Sequence, residues 1–215
     1  LYDTRKVLAV SICVQKVYIA AGNLVPMNRR QWYEEHTLKI GRMVARTRLT
    51  PNQLTLLSLI PAVISAYFFS CQRELVGGLL LVITLAFDVL DGSVARVLNK
   101  KTNFGFVLDA TIDRYCEVIV LFGILMGGFA EGWVVLLCFS GMIMASYVRA
   151  RIESKGVSTM SVGLMERMQK MLVLLIGVVL YSFFDRSITA ALLIIGILSH
   201  VTAAQRLVYA RRVFS

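Results

Sequence analysis

Long stretches of this sequence contain no Lys, Arg, Asp or Glu: residues 49–72, 75–87, 118–130, 132–148, 171–184 and 187–205. So much uncharged apolar sequence in 215 residues, at 57% hydrophobic content and a mean hydropathy of +0.71, exceeds what an ordinary water-soluble core absorbs, since soluble domains sit nearer half apolar. The bilayer is the expected solvent. Several blocks are shorter than the roughly 20 residues that cross hydrocarbon, so their helices must take in neighbouring charged positions. The pattern predicts an all-α integral membrane protein with six transmembrane helices, at about 51–70, 75–98, 103–127, 132–151, 166–184 and 187–207. Thr50 is placed to cap the first of these, with Pro51 at the first helical position, where a missing N–H costs nothing.

Charge sets the orientation. With six spans, one side of the membrane receives the chain before Thr50, the turn at 96–102, the loop at 151–165 and the tail from Arg206. That side carries nearly all the basic residues, and the opposite loops offer only Arg73 and Arg186. The positive-inside rule then makes both termini cytoplasmic in a multi-pass protein of the cell membrane. A net charge of +10 follows from basic inside loops facing anionic lipid. It does not indicate nucleic-acid binding, because the basic residues are divided among loops beside apolar spans.

Residues 31–48 alternate Trp32, Leu38, Ile40, Met43 and Val44 with Lys39, Arg42, Arg46 and Arg48. This reads as an amphipathic interfacial helix on the inner leaflet, preceding the spans. Residues 1–30 read as a linker or the remnant of an upstream domain, and residues 31–215 as the membrane domain. The cysteines Cys13, Cys71, Cys116 and Cys138 are scattered and form neither a metal knuckle nor a disulfide framework.

Four aspartates carry the chemistry. Asp88 and Asp91 are three apart on the second predicted span, and Asp109 and Asp113 are four apart on the third. Each spacing puts both carboxylates on one helix face. A short turn joins the two helices, so the pairs converge near the cytoplasmic surface. Grouped carboxylates in such a place repel one another and lose hydration, and a divalent metal relieves both costs. Oxygen-only ligands favour Mg²⁺ or Mn²⁺ over zinc. Gly92, Ala95 and Gly105 leave room for a nucleotide or for a packed backbone, and Arg96 suits either a diphosphate or an inside-flanking position. A structural ion-pair network, with Arg96, Lys100, Lys101 or Arg114 as partners, is the competing account of the aspartates.

The stretch Asp88-x2-Asp91-Gly92-x2-Ala95-Arg96-x8-Gly105-x3-Asp109-x3-Asp113 resembles the signature of the CDP-alcohol phosphatidyltransferase family, with all eight fixed residues at the family's spacing. The likeness covers residues 31–215. It implies a dimeric, six-helix membrane enzyme that binds CDP-diacylglycerol, CDP-archaeol or a related CDP-alcohol in a polar cavity open to the cytoplasm and releases CMP. It further implies Asp88, Asp91 and Asp109 as metal ligands, and Asp113 as the base for the acceptor hydroxyl, touching a second metal as well. Gly92, Ala95, Arg96 and Gly105 would line the nucleotide site, with Asn52 near its phosphates.

Arg149 and Arg151 end the fourth span and Arg167 begins the fifth. Guanidinium groups there suit an anionic acceptor, although basic residues are also expected at inside ends. The runs Ser146-Tyr-Val-Arg149-Ala-Arg151-Ile-Glu153 and Gly163-Leu-Met-Glu166-Arg167 resemble the inositol-phosphate branch of the family, with Arg149 in place of a lysine and Ile152 in place of an alanine. An inositol phosphate is therefore the expected acceptor. The alternatives are a CDP-inositol donor, a glycerol phosphate or serine acceptor, and, from another class, a transporter or scaffold. Transport pathways, however, distribute charge among several spans toward the midplane.

The orientation has a direct check. In a background without native cysteines, Arg186→Cys in intact cells should react with a membrane-impermeant maleimide and Lys155→Cys should not. The reverse labelling pattern would invert the topology.

Overall fold

The computed structural model describes residues 42–44, 49–98, 102–159 and 162–214. The expectations for residues 1–30 and for most of the amphipathic helix at 31–48 lie outside the described residues; Arg42, Met43 and Val44 are helical. From Pro51 onward the chain forms α1 (Pro51–Leu57), α2 (Leu59–Ser70), α3 (Glu74–Val97), α4 (Asn103–Met126), α5 (Gly132–Glu153), α6 (Arg167–Tyr181) and α7 (Ser187–Phe214). No strand occurs among the described residues, so the all-α expectation holds.

The stretches Pro51–Ser70, Glu74–Val97, Gly132–Glu153 and Ser187–Phe214 are long and apolar enough to cross a membrane. The other two expected spans differ for separate reasons. α4 has 24 residues but carries Asp109, Asp113, Arg114 and Glu117. α6 has 15 residues, about 22 Å at ~1.5 Å per residue, because turns at Ser182 and Phe183 end it before the predicted boundary. α7, at 28 residues, is about 42 Å long, so it exceeds a hydrocarbon core of ~30 Å and takes Arg211 and Arg212 beyond it.

The first span is divided between α1 and α2 at Ser58, whereas its sequence had suggested one helix. Pro61 is the cause: it has no N–H for the Leu57 carbonyl, and its ring crowds that oxygen. Ser58 donates its Oγ proton to the Thr55 carbonyl at 2.6 Å and carries the chain across the break.

The chain divides into two compact units. One comprises Leu1–Pro51 with Val89–Lys101, of which residues 42–44, 49–51 and 89–98 are described; the other comprises Asn52–Asp88 with Thr102–Ser215. In the first, Ser93 Oγ donates to the Val89 carbonyl at 2.7 Å and accepts from Arg96 Nη2 at 3.3 Å.

In the second unit, helices approach through small residues rather than bulky knobs, as membrane helices do. A Cβ on Gly123 of α4 would stand 2.4 Å from Ala66 Cα of α2, and one on Gly141 of α5 would stand 2.7 Å from the Gly196 carbonyl of α7. Serine hydroxyls add ties between neighbours: Ser65 to the Gly77 carbonyl and Ser187 to the Gly177 carbonyl, both at 2.7 Å. At one end, Phe129 packs edge-on against Phe69 and Tyr181. At the other, Arg206 donates to the Ala145 carbonyl at 2.7 Å and to the Val162 carbonyl at 2.9 Å. Thr202 Oγ1 accepts from Met165 N at 3.2 Å. These bonds fix the approach to Arg167 at the start of α6. Leu79, Phe122, Leu136 and Val179 are each about 60% exposed, at 62%, 59%, 66% and 59%, a surface suited to lipid rather than water.

The close α2–α4 approach predicts that Gly123→Ala destabilises the protein by about 1–3 kcal/mol, lowering its melting temperature in detergent. Gly132→Ala, whose Cβ would meet nothing nearer than 3.9 Å, should melt close to wild type. Equal melting temperatures for the two variants would contradict this packing.

Candidate active site

α3 and α4 present the four aspartates because their helical spacing and start points are both set locally. Thr102 is the N-cap of α4, its hydroxyl accepting from Gly105 N at 2.9 Å, and this fixes where the helix begins and hence the faces of Asp109 and Asp113. Asp88 and Asp91, on the one unbroken helix α3, bring carboxylate oxygens within 4.8 Å of each other, and Asp88 does the same with Asp109. Asp91 is 6% exposed. Asp109 Oδ1 is buried and accepts no hydrogen bond.

An arginine from distant sequence completes this cluster. Arg167 donates through Nη1 to Asp88 Oδ1 at 2.7 Å and through Nη2 to Asp113 Oδ1 at 2.6 Å. Such charge-assisted contacts are strong, and inside a membrane domain they offset the lost hydration of both partners. Behind them lies Glu117, 4% exposed, with Oε1 3.0 Å from Arg114 Nη2 and 3.7 Å from Arg167 Nε. Arg114 also donates to Ser146 Oγ of α5 at 2.8 Å.

The donor set suits a hard divalent cation. It consists of carboxylate oxygens carried by α3 and α4, and one buried oxygen, Asp109 Oδ1, has no hydrogen-bond donor. Mg²⁺ and Mn²⁺ prefer such ligands.

The other residues singled out in the sequence fall into groups. Asn52 of α1 and Gly105 of α4 meet: a Cβ on Gly105 would lie 3.1 Å from Asn52 Oδ1. Gly92 is exposed, with nothing within 4 Å of where a Cβ would stand, so a ligand has open access to the backbone there. Ala95 is half-buried and Arg96 exposed. Arg149 pairs with Glu153 at 3.0 Å, and Glu153 also accepts from Thr159 Oγ1 at 2.8 Å. Arg151 is exposed at the same helix end. Arg149 thus answers Glu153 on its own helix, whereas Arg167 turns toward Asp88 and Asp113. Of the cations adjacent in sequence, Arg114 pairs with Glu117 and Arg96 bonds Ser93, while Lys100 and Lys101 lie outside the described residues.

Sequence reasoning missed three buried charges, Glu117, Lys170 and Arg206, which are 4%, 4% and 6% exposed. Glu117 borders an uncharged block and reads there as its boundary. The available signal was its spacing from Asp113, four residues on along the same helix face.

Residues 48–203 match the sequence model for CDP-alcohol phosphatidyltransferase. The archaetidylinositol phosphate synthase of Pyrococcus horikoshii is 34% identical over 174 residues, covering 81% of this chain and 90% of that protein. The phosphatidylinositol phosphate synthase of Mycobacterium tuberculosis, solved with CDP-DAG bound, has a TM-score of 0.73 at 28% identity, over 81% of this chain and 92% of that one. A second structure of that synthase, in complex with manganese and citrate, has a TM-score of 0.73 at 29% identity, over 81% and 88%. With residues 48–203 matched to the family model and 81% of its length matched to the archaeal relative at 34% identity, the chain belongs to the CDP-alcohol phosphatidyltransferase family.

Proposed function

We propose that this protein transfers a phosphatidyl-type group from a CDP-linked lipid to a hydroxyl of an inositol phosphate, releasing CMP. The observation that carries this reading is the carboxylate group around Asp88, with Asp109 within 4.8 Å and Arg167 bridging to Asp113. The names of the archaeal and mycobacterial relatives, both inositol-phosphate lipid synthases, support the acceptor, and the CDP-DAG complex supports a CDP-lipid donor such as CDP-diacylglycerol or CDP-archaeol.

In this reading Asp88, Asp91 and Asp109 hold Mg²⁺ or Mn²⁺, with Asp113 alongside. The bound cation supplies charge neutralisation at the donor's diphosphate. Asp113 takes the proton of the acceptor hydroxyl, whose oxygen forms a bond to the lipid-linked phosphorus as the bond to the CMP oxygen breaks. Asn52, Gly92, Ala95, Arg96 and Gly105 line the cytidine-diphosphate site. The open space at Gly92 and the Asn52–Gly105 contact are consistent with those places. Arg149, Arg151 and Arg167 serve the acceptor phosphate, for which a guanidinium is a well-matched donor, Arg167 from its place beside Asp88 and Asp113.

The reading also includes six membrane crossings, α4 and α6 being the two short or charged ones, with both termini and the site on the cytoplasmic side, and a homodimer. On α4 the charged groups of Asp113, Arg114 and Glu117 meet Arg167 and Ser146 instead of lipid.

The test is CMP release and lipid product formation with Mg²⁺ or Mn²⁺, CDP-diacylglycerol or CDP-archaeol, and a panel of inositol phosphate, glycerol phosphate, serine and inositol. Inositol phosphate should be the acceptor that drives release; no acceptor-dependent release under any combination would overturn the proposal. Asp113→Asn should lower turnover by at least ~100-fold with a much smaller effect on donor binding, and Asp91→Asn should weaken metal-dependent donor binding as well. Arg151→Ala should raise KM for the phosphorylated acceptor more than for the donor, and unchanged acceptor kinetics would remove Arg151 from the site.

A further inference from the structure

Glu117 lies outside the eight-residue signature, one helical turn beyond Asp113, yet it is the most deeply buried carboxylate around Arg167, its side chain 3% exposed against 21% for Asp88 and 14% for Asp113. Arg114 holds it on one side at 3.0 Å and is itself tied to Ser146 of α5. On the other side, Glu117 Oε1 faces Arg167 Nε at 3.7 Å, too far for a hydrogen bond. Both of those atoms are buried and lack a hydrogen-bond partner. A cavity of about 20 Å³ lies beside them, lined by Glu117, Arg167, Lys170, Thr84 and Leu85 among others.

Arg167 thus stands between two sets of anions. Its Nη atoms are bonded to Asp88 and Asp113, two of the residues that the functional reading assigns to the cation and to the acceptor proton. Its Nε lies 3.7 Å from Glu117 Oε1, an oxygen that Arg114 contacts at 3.0 Å but that accepts no hydrogen bond, less than 1 Å beyond bonding range. A divalent cation and Arg167 compete for Asp88, and a guanidinium displaced from it still requires a buried partner.

Resting on that functional reading, we infer that Glu117 is a positioning residue: it is the second anchor of Arg167, onto which the guanidinium moves when a divalent cation takes Asp88. The move closes the Glu117–Arg167 hydrogen bond, frees Asp113 to meet the acceptor hydroxyl, and keeps Arg167 at the edge of the acceptor site. Glu117 therefore favours cation binding through Arg167, beyond any direct attraction of its charge.

The test is a double-mutant cycle on Mn²⁺ affinity, read by the loss of the free Mn²⁺ signal in electron paramagnetic resonance, for purified protein in lipid nanodiscs. Glu117→Gln, Arg167→Met and the double variant are compared with wild type. Without its second anchor, Arg167 stays on Asp88, so Glu117→Gln should raise the Kd for Mn²⁺ by a factor at least about threefold larger when Arg167 is present than in the Arg167→Met background. Glu117→Asp keeps the charge and withdraws it by one methylene; it should raise Kd in the same Arg167-dependent way, and it carries the test if the Gln variant does not fold. Equal factors in the two backgrounds would overturn the inference alone, leaving Glu117 a structural or purely electrostatic group. No saturable Mn²⁺ binding by wild type would overturn both the inference and the metal-dependent reading beneath it.

Discussion

Carboxylates that lose water between packed helices must gain cations, and this requirement organises the structure. Asp88 and Asp109 approach within 4.8 Å on helices that are otherwise largely apolar. Left alone, such a pair would be costly through both repulsion and desolvation. Arg167 supplies part of the compensation by spanning Asp88 and Asp113, and Arg114 supplies it for Glu117. The remainder is open: Asp109 Oδ1 is buried without a donor. A site compensated in part by arginine and in part unsatisfied is poised to take a divalent cation.

The scaffold serves that site by being close-packed where chemistry is absent. Gly123 against Ala66 and Gly141 against Gly196 bring backbones together, and Phe69, Phe129 and Tyr181 close the far end. Van der Waals packing of this kind is the main association force between helices in lipid. It frees the opposite end for polar residues, where Arg206 and Thr202 hold the segment that leads into α6. Arg167 reaches the aspartates because that segment is pinned.

Local features were legible in the sequence and long-range ones were not. The helical faces of Asp88 and Asp91, and of Asp109 and Asp113, follow from spacing alone, and the structure groups Asp88 with both Asp91 and Asp109. Pro51 does open the first helix. The break at Ser58 was equally available, since Pro61 removes one donor from the ladder, but a continuous apolar run obscured it. That Arg167 rather than Arg96 answers the aspartates depends on tertiary packing over a separation of 54 residues from Asp113, which periodicity does not encode. Glu117 and Lys170 were hidden because a single charge beside an apolar block looks like a boundary. Burial inside the bundle is what distinguishes them.

The central claim is that the aspartates of α3 and α4 share one cation. Anomalous diffraction at the manganese edge, from crystals of the protein grown with Mn²⁺ and without acceptor, tests it most directly. The account predicts an anomalous peak coordinated by Asp88, Asp91 and Asp109, with the Arg167 guanidinium withdrawn from Asp88. A peak remote from these carboxylates, or none at saturating Mn²⁺ with the arginine bridge intact, would contradict it.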